Sequence, residues 1–219
     1  MSNCNVIFLN HASFILEHKS TKILVDPYLF GSAFNDGWSL LKEVNHDSEI
    51  NGITHIFFSH EHPDHFSIPF LKKIQEEKRK SIIILYQKTY DNRVKNFCKK
   101  LNYNFIELDD CKSFKLTNEI EITIGKVPFY DSWINFKIGE KNILNVNDCV
   151  LEQIDTVHKI KKVLNRKIDA LFTQFSYANY IEQQYQKHVA IKQLENIKIQ
   201  DQVLQPSFII PFASFIYFS

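Results

Sequence analysis

Hydrophobic and polar positions alternate in short blocks along the first 60 residues. Val6–Leu9 and Phe14–Glu17 are apolar runs, and the polar turn His18–Thr21 separates the second from Lys22–Val25. Runs of this length bounded by turn residues predict a meander of three β-strands. Asp26 and Pro27 then open a stretch from Tyr28 to Trp38 rich in glycine and aromatic residues. Long stretches without regular periodicity are commonly functional loops. Thr54–Phe58 is a compact apolar run and predicts a buried strand. It leads directly into Ser59-His-Glu-His-Pro-Asp-His65.

From there the pattern changes. Ser67 is placed to cap a helix whose early Pro69 is tolerated in the first turn. Leu71 and Ile74 mark its apolar side, and Glu76–Lys80 is a solvated charge run. Ser81–Leu85 predicts a buried strand, and Tyr90–Leu101 a helix with Val94, Phe97, Cys98 and Leu101 on one side. Phe105–Leu108, Glu119–Ile124, Trp133–Ile138, Ile143–Val146 and Ala170–Phe175 read as strands, and Thr156–Leu164 as a helix. Residues 180–204 form a Gln- and Lys-rich helical region, and a last strand begins at Ser207 and is read through Ser219. Strands first, then mixed helices and strands, is neither a Rossmann alternation nor an all-β pattern. Two β-layers with helices outside satisfy it. There is no internal repeat of fixed period.

Composition narrows the function class. A chain of 219 residues and 25.9 kDa suits one domain, 1–219. With 44% hydrophobic residues it is globular rather than disordered. Lys and Arg number 26 against 25 Asp and Glu, which lacks the basic excess of a dedicated nucleic-acid binder. No apolar stretch has the length of a membrane span, and the first residues lack a signal-peptide pattern, so a cytoplasmic location is expected with no membrane partner. Scattered Cys4, Cys98, Cys111 and Cys149 fit reduced thiols. Five glycines, none in a phosphate-binding loop, argue against P-loop or dinucleotide chemistry.

The chemistry concentrates in His60, His62, Asp64 and His65, at the end of an apolar strand. In extended backbone, residues i and i+2 project to one side, so His60 and His62 can grip one ion. Asp64 and His65, beyond the turn at Pro63, can face a second. Imidazole and carboxylate suit zinc or non-haem iron. Two ions about 3.5–4 Å apart can share a hydroxide at neutral pH, which is a strong nucleophile. His18, His46, His55, His158 and His188 carry no spacing signal.

His-x-His-x-Asp-His after an apolar strand resembles the signature of the metallo-β-lactamase superfamily, and Ile23–Pro27 resembles the early Asp segment that supports its histidine loop. Asp26-Pro-Tyr-Leu-Phe-Gly-Ser-Ala-Phe-Asn-Asp-Gly-Trp38, Ser59–Ser67, Ile143-Leu-Asn-Val-Asn-Asp-Cys149, Gln205-Pro206 and Pro211–Ala213 are similar to the metallo-β-lactamase-like part of CMP-N-acetylneuraminate hydroxylases. The resemblance implies an α+β fold, the αββα metallo-β-lactamase sandwich, and one or two divalent ions, zinc or iron. It implies His60, His62, Asp64, His65 and Asp148 as metal ligands, Asp148 being the carboxylate that bridges or completes the site; without it, Asn147-Asp148 would read as a turn. Relatives often carry His-Ala or His-Ser where His11 stands. Asp64 and His11 are therefore the expected catalytic groups, His11 as a supporting or substrate group or, alternatively, a polar turn residue. Trp38 reads as a buried loop aromatic or a pocket wall. Phe175–Asn179 aligns with a small-residue loop and is bulkier here.

The chain departs from the pattern at Val127, where the family supplies a histidine, and it stops at Ser219 before the last expected histidine. The expectation is a domain lacking its C-terminal end. The Cys-x-His and Cys-x-x-His pairs of a Rieske cluster are also missing. Three readings follow: a metal-dependent hydrolase using a metal-bound hydroxide on a sugar-derived or nucleotide-sugar substrate; a di-iron oxygenase of a nucleotide-linked sugar or sialic acid, needing a separate redox partner; and a metal-deficient, non-catalytic homologue. The first two take a small-molecule substrate, and none calls for nucleic acid.

Overall fold

The computed structural model describes residues 4–44, 50–176, 180–214 and 216–218. The chain divides into two compact units, Met1–Asp109 with Phe215–Ser219, and Asp110–Ser214.

In the first unit the expected meander forms as β1 (Cys4–Asn10), β2 (Ser13–His18) and β3 (Thr21–Val25), antiparallel throughout. The segment Tyr28–Trp38, read as a loop, carries two short strands at its end, β4 (Ser32–Ala33) and β5 (Trp38–Leu40). Strand β6 (His55–Phe57) lies parallel to β3. Ser67 caps α1 (Ile68–Lys73), its hydroxyl accepting from the Phe70 amide at 3.3 Å. The solvated charge run forms a single short helix, α2 (Glu76–Arg79). Strand β7 (Ile83–Gln87), helix α3 (Arg93–Lys100) and strand β8 (Asn104–Leu108) complete a six-stranded sheet in the order β1-β2-β3-β6-β7-β8. Helix α3 starts three residues later than the periodicity suggests, because Asn92 sits in the left-handed region with φ 53°.

The second unit repeats the plan, a meander followed by parallel strands. Strands β9 (Ser113–Lys115), β10 (Ile120–Lys126), β11 (Ser132–Ile138) and β12 (Lys141–Asn147) are antiparallel neighbours. Helix α4 (Ile154–Leu164) leads to β13 (Ala170–Gln174), parallel to β12, and α5 (Gln183–Leu204) leads to β14 (Phe208–Phe212), parallel to β13. The sequence shows no repeat because the common feature is strand order, which many sequences satisfy. The last strand is not continuous to Ser219. It breaks at Ala213, where φ is 53°, and β15 (Ile216–Phe218) pairs with β5 of the first unit. Among the described residues no helix is long and apolar enough to cross a membrane.

Each sheet lies against its own apolar cluster. In the first unit Ile15, Leu24, Ile56, Phe58, Ile84 and Tyr86 are buried with Leu71 and Cys98 from the helices. In the second, Trp133, Leu144, Val146 and Leu171 are buried with Val157, Ile160 and Leu164. Burying an apolar side chain of this size stabilises by about 1.5–3 kcal/mol.

Two predictions arise from the strands. Gly125 on β10 faces Trp133 on β11, and a Cβ built at Gly125 would stand 2.1 Å from the indole. The ring occupies the space a side chain would need, the cross-strand pairing in which an aromatic covers a strand glycine. Gly125→Ala therefore costs about 1–3 kcal/mol by overpacking, read as a lower urea midpoint at unchanged slope. The second concerns His55 on β6, whose Nδ1 lies 2.8 Å from Thr54 Oγ1 and whose pKa burial lowers. The folded state resists protonation there while the unfolded chain accepts a proton near pH 6.5. Stability is thus lost as pH falls through the unfolded value towards the folded one, by at most about 1.4 kcal/mol per pH unit for this group. In denaturation curves from pH 7.5 to 5.5, His55→Gln should show a shallower decline than wild type; equal slopes would refute the assignment.

Candidate metal centre

The convergence of the candidate residues follows from strand direction. Phe14 pairs with Val25, so the β1–β2 turn carrying His11 and the C-terminal end of β3 share one end of the sheet. Val25 pairs with Phe57 in parallel, so Ser59–His65 leave β6 at that same end. Loops beyond the carboxyl ends of parallel strands are the usual location of binding sites in open sheets.

Asp26 organises the loop. It is fully buried, and its backbone is left-handed with φ 41°. One carboxylate oxygen accepts the Ser59 amide at 2.8 Å; the other faces His65 Nδ1 at 3.2 Å. The early Asp thus does what the sequence comparison implied, supporting the histidine loop. A carboxylate on one imidazole nitrogen fixes which nitrogen is left to face the site. The His62 carbonyl accepts from the amides of His65 at 3.0 Å and Phe66 at 2.7 Å, and this tight turn swings Asp64 and His65 back towards His60.

The side chains then gather. His60 Nε2 lies 2.8 Å from His62 Nδ1, and the His60 and His65 rings are 4.2 Å apart between centroids. His65 Nε2 and His11 Nε2 each lie 3.2 Å from the same oxygen of Asp64, Oδ2. His11, Asp64 and His65 are all buried, and their donor atoms fall within 4.8 Å of one another. His11 is therefore not an exposed turn residue, although its φ of 42° places it in a turn. His62 stays exposed.

The electrostatics call for a cation. His65 Nδ1 is taken up by Asp26, so its Nε2 is the atom left facing an oxygen of Asp64. That contact needs a proton or a metal ion to be favourable. Asp64 Oδ1 is buried without a hydrogen-bond partner. Burial acts to raise the Asp64 pKa, but the charge of His65 and the hydrogen bonds of His11 and His65 outweigh it and hold the carboxyl well below the usual range. An ionised, half-satisfied buried carboxylate among imidazoles fits a divalent ion.

Aromatic and ionic groups that spacing did not reveal frame these residues. The rings of Tyr28 and Trp38 lie in T-shaped contact with His11, centroids 6.1 and 6.4 Å away, and Phe34 lies 6.0 Å from His62 between centroids. Trp38 is half-buried on β5 rather than enclosed in a loop. Arg93 at the start of α3 pairs with both Glu61, between the two histidines, and Asp91. No sequence signal links residues 61 and 93, because the pairing depends on where α3 begins.

In the second unit, Asp148 follows the end of β12, after Asn147 with its φ of 54°. Val127 packs against the apolar cluster of that unit, and its amide donates to the Asp131 carbonyl at 3.0 Å. Val127 is partly buried there, and its side chain offers no ligand atom. His46 and residues 177–179 of the Phe175–Asn179 segment lie outside the described residues. His18 and His55 are buried within the sheet, and His158 and His188 lie exposed on α4 and α5.

The fold and the histidine loop define a class. Residues 5–172 match the family described as "Beta-lactamase superfamily domain", and the chain belongs to that superfamily, with its metallo-β-lactamase αββα sandwich fold. Within it, the chain is 33% identical over 156 residues to the cytidine monophosphate-N-acetylneuraminic acid hydroxylase of Xenopus laevis, a match covering 66% of this chain and 25% of that protein. Among solved structures, CmlA, a diiron β-hydroxylase from Streptomyces venezuelae, superposes with a TM-score of 0.73 at 16% identity, covering 98% of this chain and 45% of CmlA. Human tRNase Z, short form, superposes with a TM-score of 0.61 at 13% identity, covering 94% of this chain and 92% of that one. The chain thus spans a quarter of the first relative and under half of CmlA.

Proposed function

We propose that this chain is the metal-binding part of an enzyme that hydroxylates a small, sugar-derived molecule, with His60, His62, Asp64, His65 and Asp148 as metal ligands and Asp64 and His11 as catalytic groups. The observation that carries the metal reading is the buried convergence of His11, Asp64 and His65 around one unsatisfied carboxylate. Bound metal would supply Lewis acidity or, as iron, the redox chemistry of oxygen activation. The chain's own residues do the positioning. Asp26 holds the ring of His65, the turn closed by the His62 carbonyl sets Asp64 beside it, and Asp64 Oδ1 is left to accept a proton or hold a water. Hydroxylation is favoured over other chemistry because a curated hydroxylase aligns at 33% identity and CmlA superposes with a higher TM-score, 0.73, than tRNase Z, 0.61. Such a reaction needs electrons, which a redox partner would deliver. Asp148 enters by its segment's likeness to those hydroxylases.

A second reading, a metal-dependent hydrolase, rests on coverage. The chain covers 92% of tRNase Z and 88% of a protein from Parabacteroides distasonis described as "Putative metal-dependent hydrolase", which superposes with a TM-score of 0.57 at 14% identity. The deciding experiment loads the protein with Fe(II) or Zn(II) and supplies nucleotide-linked sialic acid. Oxygen consumption with a reductant and iron supports hydroxylation. Turnover of ester or phosphate substrates by zinc protein without oxygen overturns it in favour of hydrolysis, and protein that takes up neither metal overturns both.

A further inference from the structure

We propose that His11 is itself a metal ligand, completing with Asp64 and His65 a buried position of two imidazoles and one carboxylate. This rests on the metal-binding reading above and goes beyond it, since the ligand set implied by the family resemblance does not contain His11.

The geometry distinguishes a ligand from a supporting group. His11 is buried at the β1–β2 turn, flanked by the rings of Tyr28 and Trp38, with Nε2 directed at Asp64 Oδ2. The Nε2 atoms of His11 and His65 stand at the same 3.2 Å from that one oxygen. For a neutral N–H···O hydrogen bond this is the long limit, and charge-assisted ones are shorter still. It is close to the separation of two ligands around a tetrahedral ion, about 3.4 Å when each bond is about 2.1 Å. A hydrogen-bonding role would also be better served at Asp64 Oδ1, which is buried and has no partner, than at Oδ2, which His65 already faces. The three donors come from residues 11, 64 and 65 alone. Three protein ligands with an open position is the arrangement of catalytic rather than structural metal sites, and two histidines with one carboxylate serve both zinc hydrolysis and ferrous oxygenation.

Co(II) is the probe. Apo protein titrated with Co(II) is followed by visible absorption, for wild type, His11→Ala, His11→Gln and the control His158→Gln. The expected result is that His11→Ala weakens one bound equivalent by more than about 100-fold, beyond the range of a group that only supports a ligand. Added imidazole restores its absorption in His11→Ala; His11→Gln falls between, and His158→Gln, an exposed histidine on α4, matches wild type. If His11→Ala fails to fold by circular dichroism, His11→Gln carries the test through its changed Co(II) spectrum. An affinity loss below about 100-fold without imidazole rescue, or an unchanged spectrum, overturns the proposal and leaves His11 as a hydrogen-bonding neighbour. Wild-type protein that takes up no Co(II) at all would instead sink the metal reading on which it rests.

Discussion

Replacing His62 and Asp64 together by alanine is expected to abolish stoichiometric metal binding while the fold survives. His62 is exposed, with His60 and Phe34 beside it, so its loss opens no cavity in the core. Asp64 is the carboxylate on which His11 and His65 converge, and together they hold its carboxyl well below the usual range. Removing it takes away the one carboxylate of that group and leaves two imidazoles there. The loss of affinity should exceed the about 10–100-fold typical of a supporting residue. Elemental analysis after dialysis, with circular dichroism as the control for folding, reads the outcome. Metal retained at wild-type stoichiometry in a folded double variant would refute the site assignment.

The second large effect is at Asp26. Asp26→Ala leaves the Ser59 amide and His65 Nδ1 without their acceptor in a fully buried setting. Each orphaned donor costs about 1–3 kcal/mol, so the urea midpoint should drop sharply. Asp26→Asn separates folding from chemistry. Its amide oxygen can still accept from Ser59, but its NH2 would face His65 Nδ1. The ring must then keep a lone pair at Nδ1 and carry its proton on Nε2, pointing at the position a metal would take. Metal affinity should fall about 10–100-fold with little change in stability. An Asp26→Asn protein that binds metal like wild type would show that the tautomer of His65 is set by something other than Asp26.

The histidine loop was legible because its residues are contiguous and follow an apolar strand, so their proximity is local. The larger strands and helices were legible for the same reason. Strands β4, β5 and β9 and the four-residue helix α2 were not, since elements of two to four residues carry no period. Strand β5, for one, pairs with β15, supplied from the other end of the chain. The start of α3 and the end of β14 were misplaced because Asn92 and Ala213 adopt left-handed backbone that no hydrophobic pattern announces.

The sequence by itself determined the superfamily, the α+β character, the loop His60–His65 and, through the likeness of Ile23–Pro27, the supporting Asp26. Val127, its lack of a ligand atom evident from residue type, was also settled there. Only the tertiary structure decided His11. Its contact with Asp64 joins residues 53 positions apart, and it exists because antiparallel pairing brings the β1–β2 turn to the sheet end where parallel β6 releases its loop. Whether a lone histidine is a turn residue or faces a buried carboxylate is set by strand order and direction. Those are properties of long-range pairing, which no local pattern encodes.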